Sequence, residues 1–150
     1  MKKQPEHVFT SVYLGLSNKL INEVSIQSPS RDGSMYLSSN RFAALWDTGA
    51  CGSVINSEVV ARLGLMPSGT TEVFTANGLA LQEIFDISIY LPGGLLIDCE
   101  VTCAELTTGH FSCLIGMDVI GKGDFAISNF EGKTVFSFRY PSLETIDFRE

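Results

Sequence analysis

The sequence predicts a mostly β protein with one or two short helices, and three observations carry that prediction. Across residues 85–91 apolar and polar side chains alternate, which is the period-2 pattern of a strand with one buried face. Asn77-Gly78 separates two β-rich runs, and Asn-Gly is a strong signal for a tight hairpin. Only the segment after Asn56 has the spacing and end signals of a helix.

The other strands are predicted from β-branched and aromatic runs that are bounded by turn residues. The predicted helix begins at Asn56 or Ser57 and ends at Gly64, and a second helical turn follows Gly116 and ends at Gly121 or Gly123. The predicted strands are 8–16, 22–27, 35–38, 42–46, 72–75, 79–82, 85–91, 95–103, 113–115, 124–129 and 134–138, with turns or loops at 29–33, 76–78, 92–94 and 130–133.

Length and composition predict one globular domain over residues 1–150. Hydrophobic residues make up 45% of the chain and charged residues 18%, with a mean hydropathy of +0.20, which excludes a disordered chain. The 10 basic and 17 acidic residues give a net charge of −7, which argues against a nucleic-acid partner. No apolar run is long enough for a membrane span, and Lys2-Lys3 is followed by polar residues that do not fit an export signal. A cytoplasmic protein without a membrane partner is therefore expected.

The four cysteines are Cys51, Cys99, Cys103 and Cys113, and their spacing contains no Cys-x-x-Cys pair. We expect free thiols that pack as small hydrophobic groups, with a disulfide or a metal site as the alternatives.

The segment that carries chemistry is Asp47-Thr48-Gly49-Ala50, which follows the apolar run 42–46. Asp47 leaves a buried strand at a turn, where backbone N–H groups can reach its carboxylate. Gly49 leaves room for a ligand beside the backbone. Trp46 is expected on the opposite face of the strand from Asp47, in the core. Asp-Thr-Gly alone is usually just a turn, so the context decides its meaning.

In that context the sequence resembles the retroviral-type, or retropepsin-like, aspartic proteases, and in particular their non-viral bacterial members. The matching pieces are Asp47-Thr48-Gly49-Ala50 with Ser53-Val54-Ile55, the helix ending at residue 63, the hairpin at Asn77-Gly78, and Leu114-Ile115-Gly116. The resemblance is firm over residues 42–129. It implies a closed, single-lobed β-barrel and hydrolysis of peptide bonds without a cofactor or metal.

The resemblance also implies a role for each matching residue. Asp47 is the expected catalytic aspartate, with Thr48 bonded across a dimer and Gly49 presenting its backbone to substrate. The expected substrate-binding residues are Ala50, Asn77, Gly78 and Ile115, with Asn77 and Gly78 at the tip of a flap. The viral enzymes have Arg where Met117 stands here, and their dimers join terminal strands in one sheet. That departure leaves open which strands of this chain form an interface.

One count sets the expected quaternary state. The mechanism needs two aspartates, and the sequence holds a single Asp-Thr-Gly and no Asp-Ser-Gly. An active enzyme is therefore expected to be a symmetric homodimer with one Asp47 from each chain. The alternative is a dimeric module of the same fold that binds peptides, or serves in assembly, without cleaving them. A nucleophilic pair of His110 and Cys113 is less well supported, because His110 reads as part of a solvated loop.

Overall fold

The computed structural model describes residues 5–29, 40–106 and 110–149. The strand predicted at 35–38 and most of the loop predicted at 29–33 lie outside these residues. The described elements follow in the order β1 (His7–Val12), β2 (Ile21–Gln27), β3 (Arg41–Trp46), β4 (Val54–Ile55), α1 (Ser57–Leu63), β5 (Gly69–Thr75), β6 (Gly78–Leu91), β7 (Leu95–Cys103), β8 (Cys113–Ile115), α2 (Met117–Ile120), β9 (Asp124–Ser128) and β10 (Val135–Tyr140).

Six strands close into a barrel, which confirms the predicted fold class. They are hydrogen-bonded in the order β2-β3-β8-β4-β7-β6, and β6 pairs with β2 to complete the ring. The pairing of β3 with β8 is parallel and sets Trp46 opposite Ile115. The interior is filled by aliphatic and aromatic side chains at most 2% exposed, among them Ile26, Phe85 and Ile87. The barrel therefore has a dry core, and the ends of β3 and β8 come together at one edge of it.

Strand β6 takes part both in the closed barrel and in a hairpin that projects from it. Its second half, from Ile84 to Leu91, pairs with β7 inside the barrel, whereas its first half, from Gly78 to Ile84, pairs only with β5. No residue of β6 before Phe85 is buried, and all of β5 is exposed or half-buried. The two strands thus form a hairpin, called the 69–84 hairpin below, that projects beyond the closed barrel.

A second sheet, in the order β1-β10-β9, packs on the barrel wall through aromatic side chains. The Trp46 ring lies 5.1 Å from the ring of Phe138 and 5.2 Å from that of Phe136, and Phe125 lies 4.9 Å from Phe136. Trp46 is 5% exposed, and its indole N–H donates to Asn22 Oδ1 at 2.9 Å. The expectation that Trp46 faces the core is confirmed. This cluster fixes the strand that immediately precedes Asp47.

Both predicted helices are present at the predicted places. Asn56 caps α1, since its side-chain oxygen accepts the Val59 N–H at 3.2 Å. Gly64 ends the helix with a positive φ of 60°, which glycine adopts without strain. The second helix, α2, starts after Gly116 and ends at Gly121.

Three local predictions were wrong in detail. The strands predicted separately at 79–82 and 85–91 form one continuous strand, Gly78–Leu91. The first strand ends at Val12 instead of residue 16, because Leu14 and Leu16 are 106% and 72% exposed and have no core face to pack on. In the 69–84 hairpin the central turn residues are Ala76 and Asn77, and Gly78 follows with φ 103°. The Asn-Gly signal located the hairpin, but the turn lies one residue earlier than an Asn-Gly type I′ turn.

The C-terminal segment 141–149 is fastened to the outer sheet through Asp124. The Asp124 carboxylate accepts the Ser142 hydroxyl at 2.5 Å, the Leu143 N–H at 2.9 Å and Arg139 Nε at 2.7 Å. Burial of the carboxyl raises its pKa, but these three hydrogen bonds outweigh that effect and lower the pKa of Asp124 to about 2. The ionised carboxylate therefore holds the segment in place.

We expect Asp124→Asn to lower the free energy of unfolding at neutral pH by about 1.5–3 kcal/mol, the usual worth of hydrogen bonds to a charged group. The folded pKa of about 2 lies below 3.8, the ordinary pKa of an aspartate, so the stabilisation is complete above pH 3.8 and is lost as pH falls through about 2. Urea unfolding followed by circular dichroism at several pH values measures both effects.

The matched control is Asp147→Asn, because within the described residues Asp147 bonds to Arg149 alone, two residues away in the same segment. This solvent-screened pair is expected to add much less stability than Asp124. Equal losses in the two variants would show that Asp124 does not hold the segment.

Candidate active site

Asp47 lies at the point where β3 leaves the barrel. Its N–H donates to the Ile115 carbonyl at 2.9 Å, and one carboxylate oxygen, Oδ1, accepts the Gly49 N–H at 2.8 Å. Asp47 is half-buried, whereas Thr48 and Gly49 are exposed. The backbone thus fixes one carboxylate oxygen. The turn that follows, residues 47–53, is called the Asp47 loop below.

The Asp47 loop packs directly on the backbone of Gly116. A Cβ atom at Gly116 would lie 2.7 Å from the carbonyl carbon and oxygen of Gly52 and 2.9 Å from the Ala50 oxygen. The loop is also tied to α2, since the Met117 N–H donates to the Ala50 carbonyl at 2.8 Å. Glycine is required at 116 because any side chain there would push the loop away.

Ser53, at the far end of the Asp47 loop, binds to Gly116 and to Asp118 of α2. Ser53 is only 2% exposed. Its hydroxyl accepts the Gly116 N–H at 3.0 Å and donates to Asp118 Oδ1 at 2.8 Å. Sequence reasoning had assigned no role to this residue. The available signal was a hydroxyl side chain beginning the apolar run Ser53-Val54-Ile55.

Two cavities flank the Asp47 loop. The first, called the hairpin cavity, has a volume of about 640 Å³ and lies between the loop and the inner side of the 69–84 hairpin. Ala50 and Cys51 line it on one side and Val73 on the other, and Leu114 forms part of its floor. The remaining walls mix aliphatic residues, among them Val54, Ile84, Val101 and Leu106, with polar ones that include Gln82 and Glu100.

The second cavity, called the β9 recess, has a volume of about 490 Å³ and contains Asp47 and Thr48 in its wall. The other walls come from the loop before β2, residues 17–20, and from β9 and the residue after it. This neighbourhood was not predicted from the sequence, because residues 17–20 reach Asp47 only through tertiary packing.

The structure separates the predicted site residues into three groups. Asp47, Thr48, Gly49 and Ala50 lie together in one loop. Asn77 and Gly78 are exposed at the tip of the 69–84 hairpin and do not line the hairpin cavity, although other hairpin residues do. Their predicted roles remain predictions.

Ile115 is 0% exposed, and its side chain belongs to the barrel core, so its predicted contact with substrate remains a prediction. Successive residues of a strand point to opposite faces, and on β8 it is Leu114 that reaches the hairpin cavity. Ile115 instead acts through its backbone carbonyl, which accepts the Asp47 N–H.

All four cysteines are free, as expected, but they differ in burial. Cys113 is buried and Cys99 and Cys103 are half-buried, and burial raises the pKa of each thiol, that of Cys99 to about 12. Cys51 is exposed, so the expectation of a packed thiol was wrong there: the Asp47 loop turns it away from the core. His110 is exposed too, which agrees with a solvated loop.

Within residues 5–29, 40–106 and 110–149, no group of three or more potential ligands is placed to hold a metal ion. Across the same ranges, none of the helices has the length and apolar character needed to cross a membrane.

Comparison with known proteins identifies a family. Residues 34–122 match the family described as "gag-polyprotein putative aspartyl protease". The fold is similar to that of a retropepsin-like aspartic protease from Rickettsia conorii, with a TM-score of 0.55 and 13% identity over 88% of this chain and 92% of the other. It is also similar to EIAV protease in complex with the inhibitor HBY-793, with a TM-score of 0.50 and 18% identity over 71% of this chain and 88% of the other. No protein with a curated description matches the sequence.

We expect Gly116→Ala to destabilise the protein by about 1–3 kcal/mol, the usual cost of forcing extra atoms into a packed site. The reason is the 2.7 Å approach to Gly52, which obliges the Asp47 loop to move. Thermal and urea unfolding measure the loss. The matched control is Gly52→Ala in the same loop, where a Cβ atom would have no neighbour within 4 Å. Equal stability of the two variants would contradict the close packing.

Proposed function

Since the chain belongs to the family of retropepsin-like aspartic proteases, we propose that it is an aspartic endopeptidase that works as a homodimer. Each chain would contribute one Asp47 to a shared pair of carboxylates. The observation that carries this proposal is the position of Asp47 in the only Asp-Thr-Gly of the sequence, with one carboxylate oxygen held by the Gly49 N–H and with the next residues of the loop, Ala50 and Cys51, lining the hairpin cavity.

The homodimer follows from the chemistry and from the surface of the single chain. One carboxylate cannot supply both the acid and the base of the reaction, so a second Asp47 must come from another copy. Thr48 is exposed, and its hydroxyl makes no hydrogen bond to any part of the chain that the structure describes. A partner chain would satisfy this hydroxyl at the two-fold axis.

The proposed mechanism uses the two carboxylates as one unit. Two carboxylates held in contact cannot both ionise, so the pair would share a single proton. The ionised Asp47 would take a proton from a water molecule, while the protonated Asp47 of the partner would donate to the carbonyl oxygen of the scissile bond. The water oxygen would then add to the carbonyl carbon, and the C–N bond would break as an Asp47 carboxyl returns a proton to the leaving nitrogen, which leaves the pair with one shared proton again. The Gly49 N–H bond to Oδ1 would orient each carboxylate for these transfers.

The substrate would lie between the Asp47 loop and the 69–84 hairpin. The hairpin cavity is large enough for a bulky side chain, and its apolar residues, among them Val73 and Leu114, favour an apolar one. The exposed, extended edges of the hairpin offer backbone groups to a peptide in an extended conformation. Peptides and unfolded protein segments are therefore the proposed substrate class.

We expect Asp47→Asn to lower cleavage of a peptide library by at least about 10²- to 10⁴-fold, because the amide cannot take the proton from water. Wild-type cleavage should be strongest at acidic to mildly acidic pH, because the mechanism needs a pair that shares one proton. Asp86→Asn, at an exposed position on the outside of the barrel, is the matched control and should retain activity.

Two results would contradict the protease proposal. Equal cleavage by the Asp47→Asn variant would assign the activity to another group or to a contaminant. A folded dimer that cleaves nothing in a broad library, with or without Asp47, would favour a module that binds peptides without cutting them.

A chemical probe tests the location of the substrate separately. Cys51 is exposed and lines the hairpin cavity, so alkylation there would place a bulky group in the proposed cleft. We expect N-ethylmaleimide to reduce cleavage by about 10²-fold, the usual cost of displacing a substrate by an ångström or so.

The Cys51→Ser variant should cleave peptides before and after the same treatment, which controls for reaction at the other three cysteines. If the wild-type protein is alkylated at Cys51, as mass spectrometry can establish, and still cleaves at its full rate, then the hairpin cavity does not hold substrate.

A further inference from the structure

We propose that Glu100 determines specificity in the hairpin cavity, where its carboxylate selects peptides that carry a lysine or arginine side chain. This inference rests on the proposed function in one respect, namely that a peptide lies in the hairpin cavity. It goes beyond that function because the apolar residues of the cavity alone would favour a purely apolar side chain. A basic side chain suits both parts of the wall, since its stem is apolar and its end is cationic.

The wall of the hairpin cavity has a single charged side chain among the residues that the structure describes. That residue is Glu100, on β7. The other residues that line the cavity are apolar, small or polar without charge, for example Phe74, Gln82 and Leu106. Since no other charge of the described wall opposes it, the carboxylate attracts a cationic side chain into the cavity and repels an acidic one.

Glu100 has no cationic partner in the described part of the chain. It is exposed, and none of the ion pairs or side-chain hydrogen bonds found there includes its carboxylate. Asp86 lies directly opposite it on β6, outside the cavity wall, and this second acidic residue cannot neutralise it. The Glu100 carboxylate is therefore available to a ligand, and hydrogen bonds between two charged groups are stronger than neutral ones.

Strand β7 places Glu100 alongside the far end of the Asp47 loop. Thr102 of β7 pairs in parallel with Val54, the residue that follows the loop. The two strands run in the same direction, so the residues before Thr102 lie on the side of the loop. Glu100 lies two positions back, about 7 Å along the strand and on the same face as Thr102. A basic side chain bound there would lie beside the end of the loop, and not beside Asp47 at its start.

The surroundings of Glu100 suit the aliphatic stem of a long basic side chain. Thr102 and Ile84 form a cross-strand pair next to Glu100, and both line the cavity. Lysine and arginine bury their methylene groups along apolar surface while the charged end reaches a polar partner. Such a side chain would pack on Ile84 and Thr102 and end at the Glu100 carboxylate.

The charge of the whole chain acts in the same direction, but without regard to position. A net charge of −7 attracts the basic segments of any peptide, and salt screens this attraction beyond about 8 Å at physiological ionic strength. A contact with Glu100 instead concerns one residue of the protein and one position of the peptide. A variant that removes a negative charge elsewhere therefore separates the two effects.

The test uses pools of decapeptides in which one position at a time is fixed as arginine, as its uncharged analogue citrulline, or as glutamate. Cleavage by the full chain is measured as kcat/KM, and binding to the Asp47→Asn variant is measured by fluorescence anisotropy. At one position we expect arginine to be favoured over citrulline by about 5-fold, which corresponds to a well-placed exposed ion pair. Glu100→Gln should abolish this preference, and Glu100→Lys should reverse it in favour of glutamate.

The matched control is Glu83→Gln. Glu83 is exposed on β6 between Gln82 and Ile84, and those two residues line the cavity whereas Glu83 does not. Its side chain therefore points to the opposite face of the 69–84 hairpin. This variant loses the same charge as Glu100→Gln, so it reports the general attraction alone and should keep the preference for arginine. Circular dichroism checks that each variant is folded.

The outcomes separate this proposal from the protease proposal. A preference for arginine that is lost in Glu100→Gln, kept in Glu83→Gln and reversed in Glu100→Lys would establish the role of Glu100, even if it is seen only in binding and nothing is cleaved. Cleavage that depends on Asp47 but shows no such preference, or shows it unchanged in the variants at Glu100, would overturn this proposal and leave the protease proposal intact. Peptides that are neither bound nor cleaved would overturn both.

Discussion

The close approach of the Gly116 backbone to the Asp47 loop is the constraint on which the candidate site depends. The carbonyls of Ala50 and Gly52 occupy the space where any other residue at 116 would carry its Cβ atom. The loop can therefore turn tightly enough for Asp47 to emerge at the end of β3 instead of swinging away from the barrel. The buried Ser53 hydroxyl then satisfies the Gly116 N–H, so this contact leaves no buried donor unpaired.

Much of the fold could be predicted because its signals are local. The helix α1 begins and ends at its capping residues, Asn56 and Gly64, and these act within one turn of the chain. Alternation across residues 85–91 was equally informative, since one face of that strand lies in the core. The prediction of a strand as far as residue 16 failed because Leu14 and Leu16 are exposed and do not pack on the core. Whether an apolar side chain is buried depends on the tertiary structure, which the local sequence does not show.

The motif of the candidate site could be predicted from the sequence, but the residues that surround the motif in space could not. Asp47 was singled out by Asp-Thr-Gly together with the other matching segments, but the choice between Ile115 and Leu114 as a cavity wall depends on which face of β8 meets the core. The exposure of Cys51 depends on the path of a loop that Gly116 sets from more than sixty residues away. The contribution of residues 17–20 to the β9 recess arises only from tertiary packing, and no local pattern encodes it.

Strand β6 leaves the closed barrel at Ile84 and continues into the 69–84 hairpin. The closed barrel ends at that residue, and from there to Gly78 the strand extends for about 20 Å at about 3.4 Å per residue. A rotation of about 10° at Ile84 would then carry the tip by roughly 3.5 Å over that length without breaking a barrel hydrogen bond. The half of β6 in the barrel pairs with β7 and β2, whereas the half in the hairpin pairs with β5 alone, so a rotation at Ile84 would change the distance from the hairpin to the Asp47 loop.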